Sequence, residues 1–366
     1  MSTSLPDPLE TEVEAGGLPV PKKRSTKSVV ITSVIGVAIM VGLFAILIPK
    51  MGSYEDAVAQ LKAIPTGWLL ALAGAGLLNI VLYPLTVPAA IPEFRYRHSF
   101  IERQSGFLVS NVVPGGGAFA VGTQYAILTR YGVSATRAVA AVSADAIWTY
   151  LLTLGFPALA VVLLVIEGRS TAEYTTLAAV GALAVAASVV AIVVILRSDA
   201  GATKVGVLGQ RAVGPLFAKL HKSPPDVVAA LVDFRGHAAQ LVRERWVQLT
   251  ITNTVAQLTP FVVLLCALAG LGSFPTPVTF IELFAAYAIA LVLTSFPITP
   301  GGLGTVDAAL VGLLVAFGCD STTAVAADLI WRLVWFLPQL FVGMATMGVY
   351  LVGKRKAAPP TVTRST

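Results

Sequence analysis

Charge is what this 366-residue sequence has least of: Asp, Glu, Lys and Arg together supply 12% of it. Soluble globular domains carry roughly 25%. With 56% hydrophobic residues and a mean hydropathy of +0.82, the shortage excludes an ordinary soluble domain and points to a polytopic membrane protein. Cysteine is nearly absent: Cys266 and Cys319 lie in or beside apolar runs, where a thiol behaves as a small hydrophobe, so no disulfide framework is expected. The three histidines, His98, His221 and His237, show no metal-ligand spacing. None falls in an apolar run, which argues against nucleophile–base chemistry at bilayer depth. Walker A, dinucleotide and G-x-S-x-G signatures are missing, so neither metal nor cofactor is expected.

What is there is length of apolar run. Runs near 20 residues, enough to cross a bilayer, fall at 29–48, 67–91, 138–166, 174–196, 246–271 and 324–352. The first has no small-residue cleavage site and is followed by Pro49-Lys50, so a secretory signal is not expected. Residues 1–27 and 354–366 have the composition of disordered tails, leaving 28–353 as one membrane unit.

Six spans put both ends on one side. With segments 99–130 and 279–317 entering and leaving on a single side each, 21 of the 25 Lys and Arg residues gather on one face. Lys50, Lys62 and Arg169 fall on the other, and Arg332 lies inside a span. The positive-inside rule makes the rich side cytoplasmic. The net charge of +6 is thus a topology signal and not a nucleic-acid footprint. Within the 197–245 loop, "SPPDVVAALVDFRGHAAQLVRERW" opens on helix-starting Pro and Asp. Val228, Leu231, Val232, Ala238 and Val242 form one apolar stripe, which reads as a helix on the inner membrane surface or as a docking site for a cytoplasmic enzyme.

The chain also matches itself at an offset of 186 residues. "PGGGAFAVGTQYAILTRYGVSATRAVAAV" (114–142) lies on "PGGLGTVDAALVGLLVAFGCDSTTAVAAD" (300–328) without a gap. Span 67–91 runs outside to inside before the first copy, and span 246–271 inside to outside before the second. The copies, within repeat halves 67–166 and 246–352, therefore have opposite orientations, as in inverted-repeat transporters. The expected fold is an all-α polytopic membrane protein with six full transmembrane helices and two re-entrant helical hairpins.

Each hairpin is a pair of pieces about Pro-Gly-Gly: 99–113 with 117–130, and 279–297 with 303–317. A 14-residue piece is only about 21 Å long, short of the ~30 Å hydrocarbon core; the 279–297 piece could nearly span. Proline breaks the helical ladder and glycine lets backbone approach a ligand. Such backbone is tolerated at depth only inside protein or beside a wet cavity. The turns then present helix N-termini beginning near Gly117 and Leu303, which favour anions. Candidate substrate-binding residues are Asn111, Pro114, Gly115, Gly116 and Gly117 in the first copy, and Pro300, Gly301, Gly302 and Gly304 in the second.

Asp145, Asp307, Asp328 and Arg332 join that set, because a charge at mid-bilayer costs about 2.5–3.5 kcal/mol on insertion scales. Asp328 and Arg332 stand four apart, acid first, the order of a self-neutralising pair; an anionic substrate would equally want Arg332. Asp307 sits about one turn into its half-helix. Asn79, Tyr83, Asn253 and Gln257 read as a cavity lining or as inter-helix hydrogen bonds.

The Asn-x-x-Pro-Gly-Gly of 111–116, "TPGGLGTVD" of 299–307 and "DLIWRL" of 328–333 resemble the lysylphosphatidylglycerol synthase transmembrane (flippase-like) family across most of 29–352. Where that family usually has Glu, this chain has Asp307. The resemblance implies movement of a phosphate-bearing lipid, a phospholipid or a polyprenyl-phosphate-linked head group, between leaflets of the cell membrane. The best-known members also carry an aminoacyl-transferase domain. This chain ends fourteen residues after its last span, so a stand-alone transporter is expected. The competing expectation is a non-transporting partner that anchors a lipid-modifying or glycosyltransferase enzyme through 197–245.

Overall fold

The computed structural model describes residues 59–60, 62–113, 116–168, 190–191, 194–195, 197–219, 226–295 and 299–356. The expected spans 29–48 and, for the most part, 174–196 lie outside them, as do Pro114 and Gly115. Among the described residues every regular element is helical. Helices α1 (Thr66–Leu82) and α2 (Thr86–Ala90) are joined by a 3-10 turn. They are followed by α3 (Tyr96–Val112), α4 (Gly116–Arg130) and α5 (Ala135–Ile166). Then come α6 (Asp199–Lys219), α7 (Val227–Gly270) and α8 (Phe280–Val292). Last are α9 (Thr305–Ala316), α10 (Ser321–Trp331) and α11 (Leu337–Lys356).

Four helical stretches are long and apolar enough to cross a membrane: Thr66–Ala90, Ala135–Ile166, Ala239–Gly270 and Ser321–Gly353. The shorter helices group as α3 with α4 and α8 with α9. α8 is only 13 residues before a 3-10 turn at Leu293–Ser295. That is about 20 Å, so the 279–297 piece is shorter than its apolar composition suggested. The 226–245 segment is not a separate surface helix either: Asp226 caps α7, accepting from the Ala229 N–H at 2.9 Å, and the helix continues unbroken through Gly270. Without a Gly or Pro between Gly236 and Pro260, nothing stops it. Its first turns pack on α6, where Gly206 brings the backbones together: an added Cβ would lie 2.8 Å from the Val228 Cα.

The offset of 186 recurs in the backbone. α4 ends at Arg130 and α9 at Ala316, while α5 starts at Ala135 and α10 at Ser321. Between them the chain reverses at Gly132 (φ +90°) and Gly318 (φ +94°), left-handed positions that glycine fills without strain. The turn bonds repeat partner for partner. Tyr131, Gly132 and Val133 N–H donate to the carbonyls of Ile127, Thr129 and Leu128; Phe317, Gly318 and Cys319 donate to those of Leu313, Val315 and Leu314. This glycine C-cap closes both helices. Packing between the copies is reciprocal, with α3 against α11 and α8 against α5. Gly343 sets the first contact, since a Cβ there would meet the Gln104 carbonyl at 2.6 Å. Phe156 and Phe284 (centroids 5.6 Å apart) mark the second.

Candidate functional site

In the second copy the Pro-Gly-Gly turn is a tight 3-10 turn, Pro300–Gly302. Gly301, Gly302 and Gly304 take φ of +63°, +68° and +83°, values that any other L-residue adopts only at a cost. The chain then enters α9, and Asp307 turns back onto its start. Its Oδ2 accepts from the Gly304 N–H at 2.6 Å, an anion on the positive helix end. Its Oδ1 accepts from Arg332 Nε, also at 2.6 Å. Arg332 additionally donates through Nη1 to the Gly301 carbonyl at 3.3 Å. Among the described residues, then, the bridge to Arg332 comes from Asp307, not from the i, i+4 neighbour Asp328. Helical spacing brings Asp328 near, but the turn delivers Asp307 head-on with a second donor to hold it.

Arg332 is 2% exposed, and its guanidinium lies 5.0 Å from the Trp331 ring and 5.1 Å from Phe336. Trp331 is fixed by a 2.8 Å bond from Nε1 to the Pro260 carbonyl. Arg332 opens a π turn, Arg332–Phe336, closed by the Leu337 N–H on the Arg332 carbonyl. Pro338 explains it: proline has no N–H to give the Val334 carbonyl, so the ladder widens there. That carbonyl abuts Gly76, where a Cβ would come within 2.8 Å. Arg332 Nη2 and Asp328 Oδ1 have no hydrogen-bond partner among the described residues.

The first copy holds a second ionic centre. Asp145 on α5 pairs at 2.7 Å with Arg103 on α3, whose guanidinium sits 4.7 Å from the Tyr83 ring. Glu102 is buried beside them, and all three line a cavity of ≈ 10 Å³ with Gln124 and Thr86. Sequence reasoning missed Arg103 and Glu102. The polar run "YRHSFIERQS" straddles the loop and the start of the 99–113 piece, and Arg103 entered the count of cytoplasmic charges, yet Ser99, Glu102, Arg103, Gln104 and Ser105 are all buried. The available signal was a neighbouring Glu-Arg at the start of the 99–113 piece.

Asn111 donates to its own helix at Phe107 O, 2.8 Å away. Its carbonyl approaches Gly301 from the other copy, 3.6 Å from where a Cβ would stand, so the end of α3 and the second turn meet. Gly116 is packed on the Val109 and Ser110 carbonyls, whereas Gly117 has nothing within 4 Å of a Cβ among the described residues beyond its own helix turn. Asp145 belongs to the first centre and does not join Arg332. The flanking polar residues tie spans together. Asn79 donates to Gln339 (2.9 Å) and accepts from Thr259 (2.8 Å); Gln257 donates to Thr153 (3.1 Å). Asn253 accepts from Thr149 at 3.4 Å. The inter-helix reading is what these distances give.

No curated protein matches the chain. The family model described as the lysylphosphatidylglycerol synthase TM region matches residues 33–343, which takes in every centre described above. The matched model describes the transmembrane region of that synthase. With its four long apolar helices, the chain belongs to the lysylphosphatidylglycerol synthase transmembrane-region family, and its role is membrane transport of the flippase-like kind.

Proposed function

We propose that the protein moves an anionic, phosphate-bearing lipid, a phospholipid or a polyprenyl-phosphate-linked head group, between the leaflets of the cell membrane. The scaffold is six spans and two re-entrant hairpins, α3/α4 and α8/α9, in inverted topology with both termini cytoplasmic. Reciprocal packing of each hairpin's first arm on the other copy's long helix supports it, as does the charge asymmetry, now with Arg103 removed from the loop count. The head group lies between the two Pro-Gly-Gly turns: Asn111, Pro114, Gly115, Gly116 and Gly117 on one side, Pro300, Gly301, Gly302 and Gly304 on the other. Asp145, Asp307, Asp328 and Arg332 set its charge environment, and the tail stays in lipid.

One observation carries this reading. A buried guanidinium and a helix-start N–H converge on a single anion, Asp307, while Arg332 Nη2 has no partner among the described residues. Asp307 holds the place of a phosphate. An entering head group displaces it, takes both donors and engages Nη2, which a planar guanidinium does better than an ammonium. Head-group translocation in reconstituted vesicles tests it. Arg332→Gln and Arg332→Lys should both lose transport; wild-type rates in either would overturn the assignment.

A second reading rests on α7. At 44 residues it is about 66 Å long, roughly twice the ~30 Å hydrocarbon core. Its N-terminal turns, paired with α6, would offer a cytoplasmic lipid-modifying enzyme a docking surface within 197–245. Pull-down of that enzyme by the 197–245 helix pair in the full chain, lost on substituting its apolar stripe, would support it.

A further inference from the structure

The first ionic centre has more negative charge than it can neutralise. Arg103 and Asp145 cancel, which leaves Glu102, 2% exposed, as an extra carboxyl within electrostatic reach of both. Its Oε2 has no hydrogen-bond partner among the described residues, and neither have Asp145 Oδ1 and Arg103 Nε. The second centre has the same inventory: Asp307, Asp328 and Arg332, two acids to one guanidinium, with Asp328 2% exposed and Oδ1 unpartnered. A net charge left at bilayer depth is expensive, and intramembrane carboxyls of this kind mark ion and proton pathways.

We propose that Glu102 is a proton-carrying site that couples transport to the proton gradient. The site takes a proton rather than a metal cation for two reasons. The cavity it lines, ≈ 10 Å³, has room for about one water. The guanidinium of Arg103 would also repel a second cation there. Asp145 is not the carrier, because its Oδ2 is committed to Arg103. The titratable or charged groups around Glu102 are Arg103 on its own helix, Asp145 on α5 and Tyr83 in the turn between α1 and α2; Gln124 and Thr86 complete the polar wall. Protonated, Glu102 makes the centre neutral and lets α3 and α5 move as a unit. Deprotonated, it draws Arg103 away from Asp145. The step is a proton taken up from water on one side and released on the other, with no other bond changed.

The coupling rests on the transport reading, but the proton site does not, so two measurements separate them. The first is infrared difference spectroscopy of the purified full chain across a pH titration. In an Asp328→Asn background, which removes the equivalent carboxyl of the second centre, a protonated-carboxyl C=O band should be present with Glu102 and with Glu102→Asp and missing with Glu102→Gln. The glutamine is close in shape to a protonated glutamate, so folding should be kept, as size-exclusion and thermal unfolding will show. An unchanged band in Glu102→Gln overturns the site. In the second, an imposed proton gradient should accelerate head-group translocation severalfold in wild type and not in Glu102→Gln. A sodium gradient should act on neither. Acceleration by sodium alone, or an equal proton response in the variant, overturns the coupling. Wild-type vesicles that move no lipid would sink the transport reading and leave the infrared result to decide the proton site.

Discussion

Gly301→Ala should be among the most damaging single-methyl additions in this chain. Gly301 holds φ at +63°, and leaving glycine there costs about 1–2 kcal/mol. A Cβ at that position would also lie 2.7 Å from Phe336 Cζ. Phe336 is 0% exposed and wedged against Phe107 and Trp335, so it cannot swing clear, and overpacking adds roughly 1–3 kcal/mol. The total, about 2–5 kcal/mol, is a large part of the stability of an ordinary domain. Gly74→Ala, in α1 and outside the proposed site, is the control: among the described residues nothing beyond its own helix turn lies within 4 Å of its Cβ, and in a helix alanine gains roughly 0.5–1 kcal/mol over glycine. Thermal unfolding in detergent should separate the two, and head-group translocation should fall in Gly301→Ala alone. Adding Phe336→Leu should return the steric share and leave the dihedral share, a coupling of about 1 kcal/mol or more in a double-mutant cycle. Equal stability of Gly301→Ala and wild type would refute the reasoning.

Three further outcomes follow from the packing and the register. Ala135→Cys and Ser321→Cys occupy equivalent exposed positions at helix starts. In a background lacking Cys266 and Cys319, an impermeant thiol reagent should reach the first only from the cytoplasm and the second only from outside; labelling from one side refutes inverted topology. Gly343→Leu should push α11 off α3, because its Cβ would meet Gln104 O at 2.6 Å and Leu108 Cβ at 2.9 Å. A loss of roughly 1–3 kcal/mol is expected, against none for Gly348→Ala, whose Cβ meets nothing. Asn79→Leu removes the acceptor of Thr259 and the donor to Gln339, and unfolding should register a loss of about 1–3 kcal/mol.

The sequence carried the repeat well because its punctuation is backbone chemistry. Gly132 and Gly318 are where the chain must reverse with positive φ, so the alignment and the C-caps coincide. The apolar lengths of 66–90, 135–166 and 321–353 were legible for the same reason: lipid-facing surface has to be apolar whatever it packs against. Less legible was anything polar that protein, not water, surrounds. Arg103 looked like a loop cation because hydropathy cannot distinguish a solvated arginine from one paired to an acid on a later helix. Arg332 was legible, but not its bridge to Asp307: i, i+4 spacing measures proximity along one helix, and Asp307 comes from another. The π turn had a signal in Pro338, readable once a carbonyl without a donor is counted.

The central claim is that Arg332 serves an anion other than its internal partner. Arg332→Gln alone leaves Asp307 buried with half its donors, and breaking a buried pair typically costs about 3–5 kcal/mol, so loss of transport there could reflect damage to the site. Arg332→Gln with Asp307→Asn removes both charges, and a neutral pair of similar shape is often tolerated. The decisive measurement is head-group translocation by this double variant in reconstituted vesicles, on protein shown by thermal unfolding to be as stable as wild type. The account predicts a folded protein that does not transport; recovery to the wild-type rate would reduce Arg332 and Asp307 to a structural pair and contradict it.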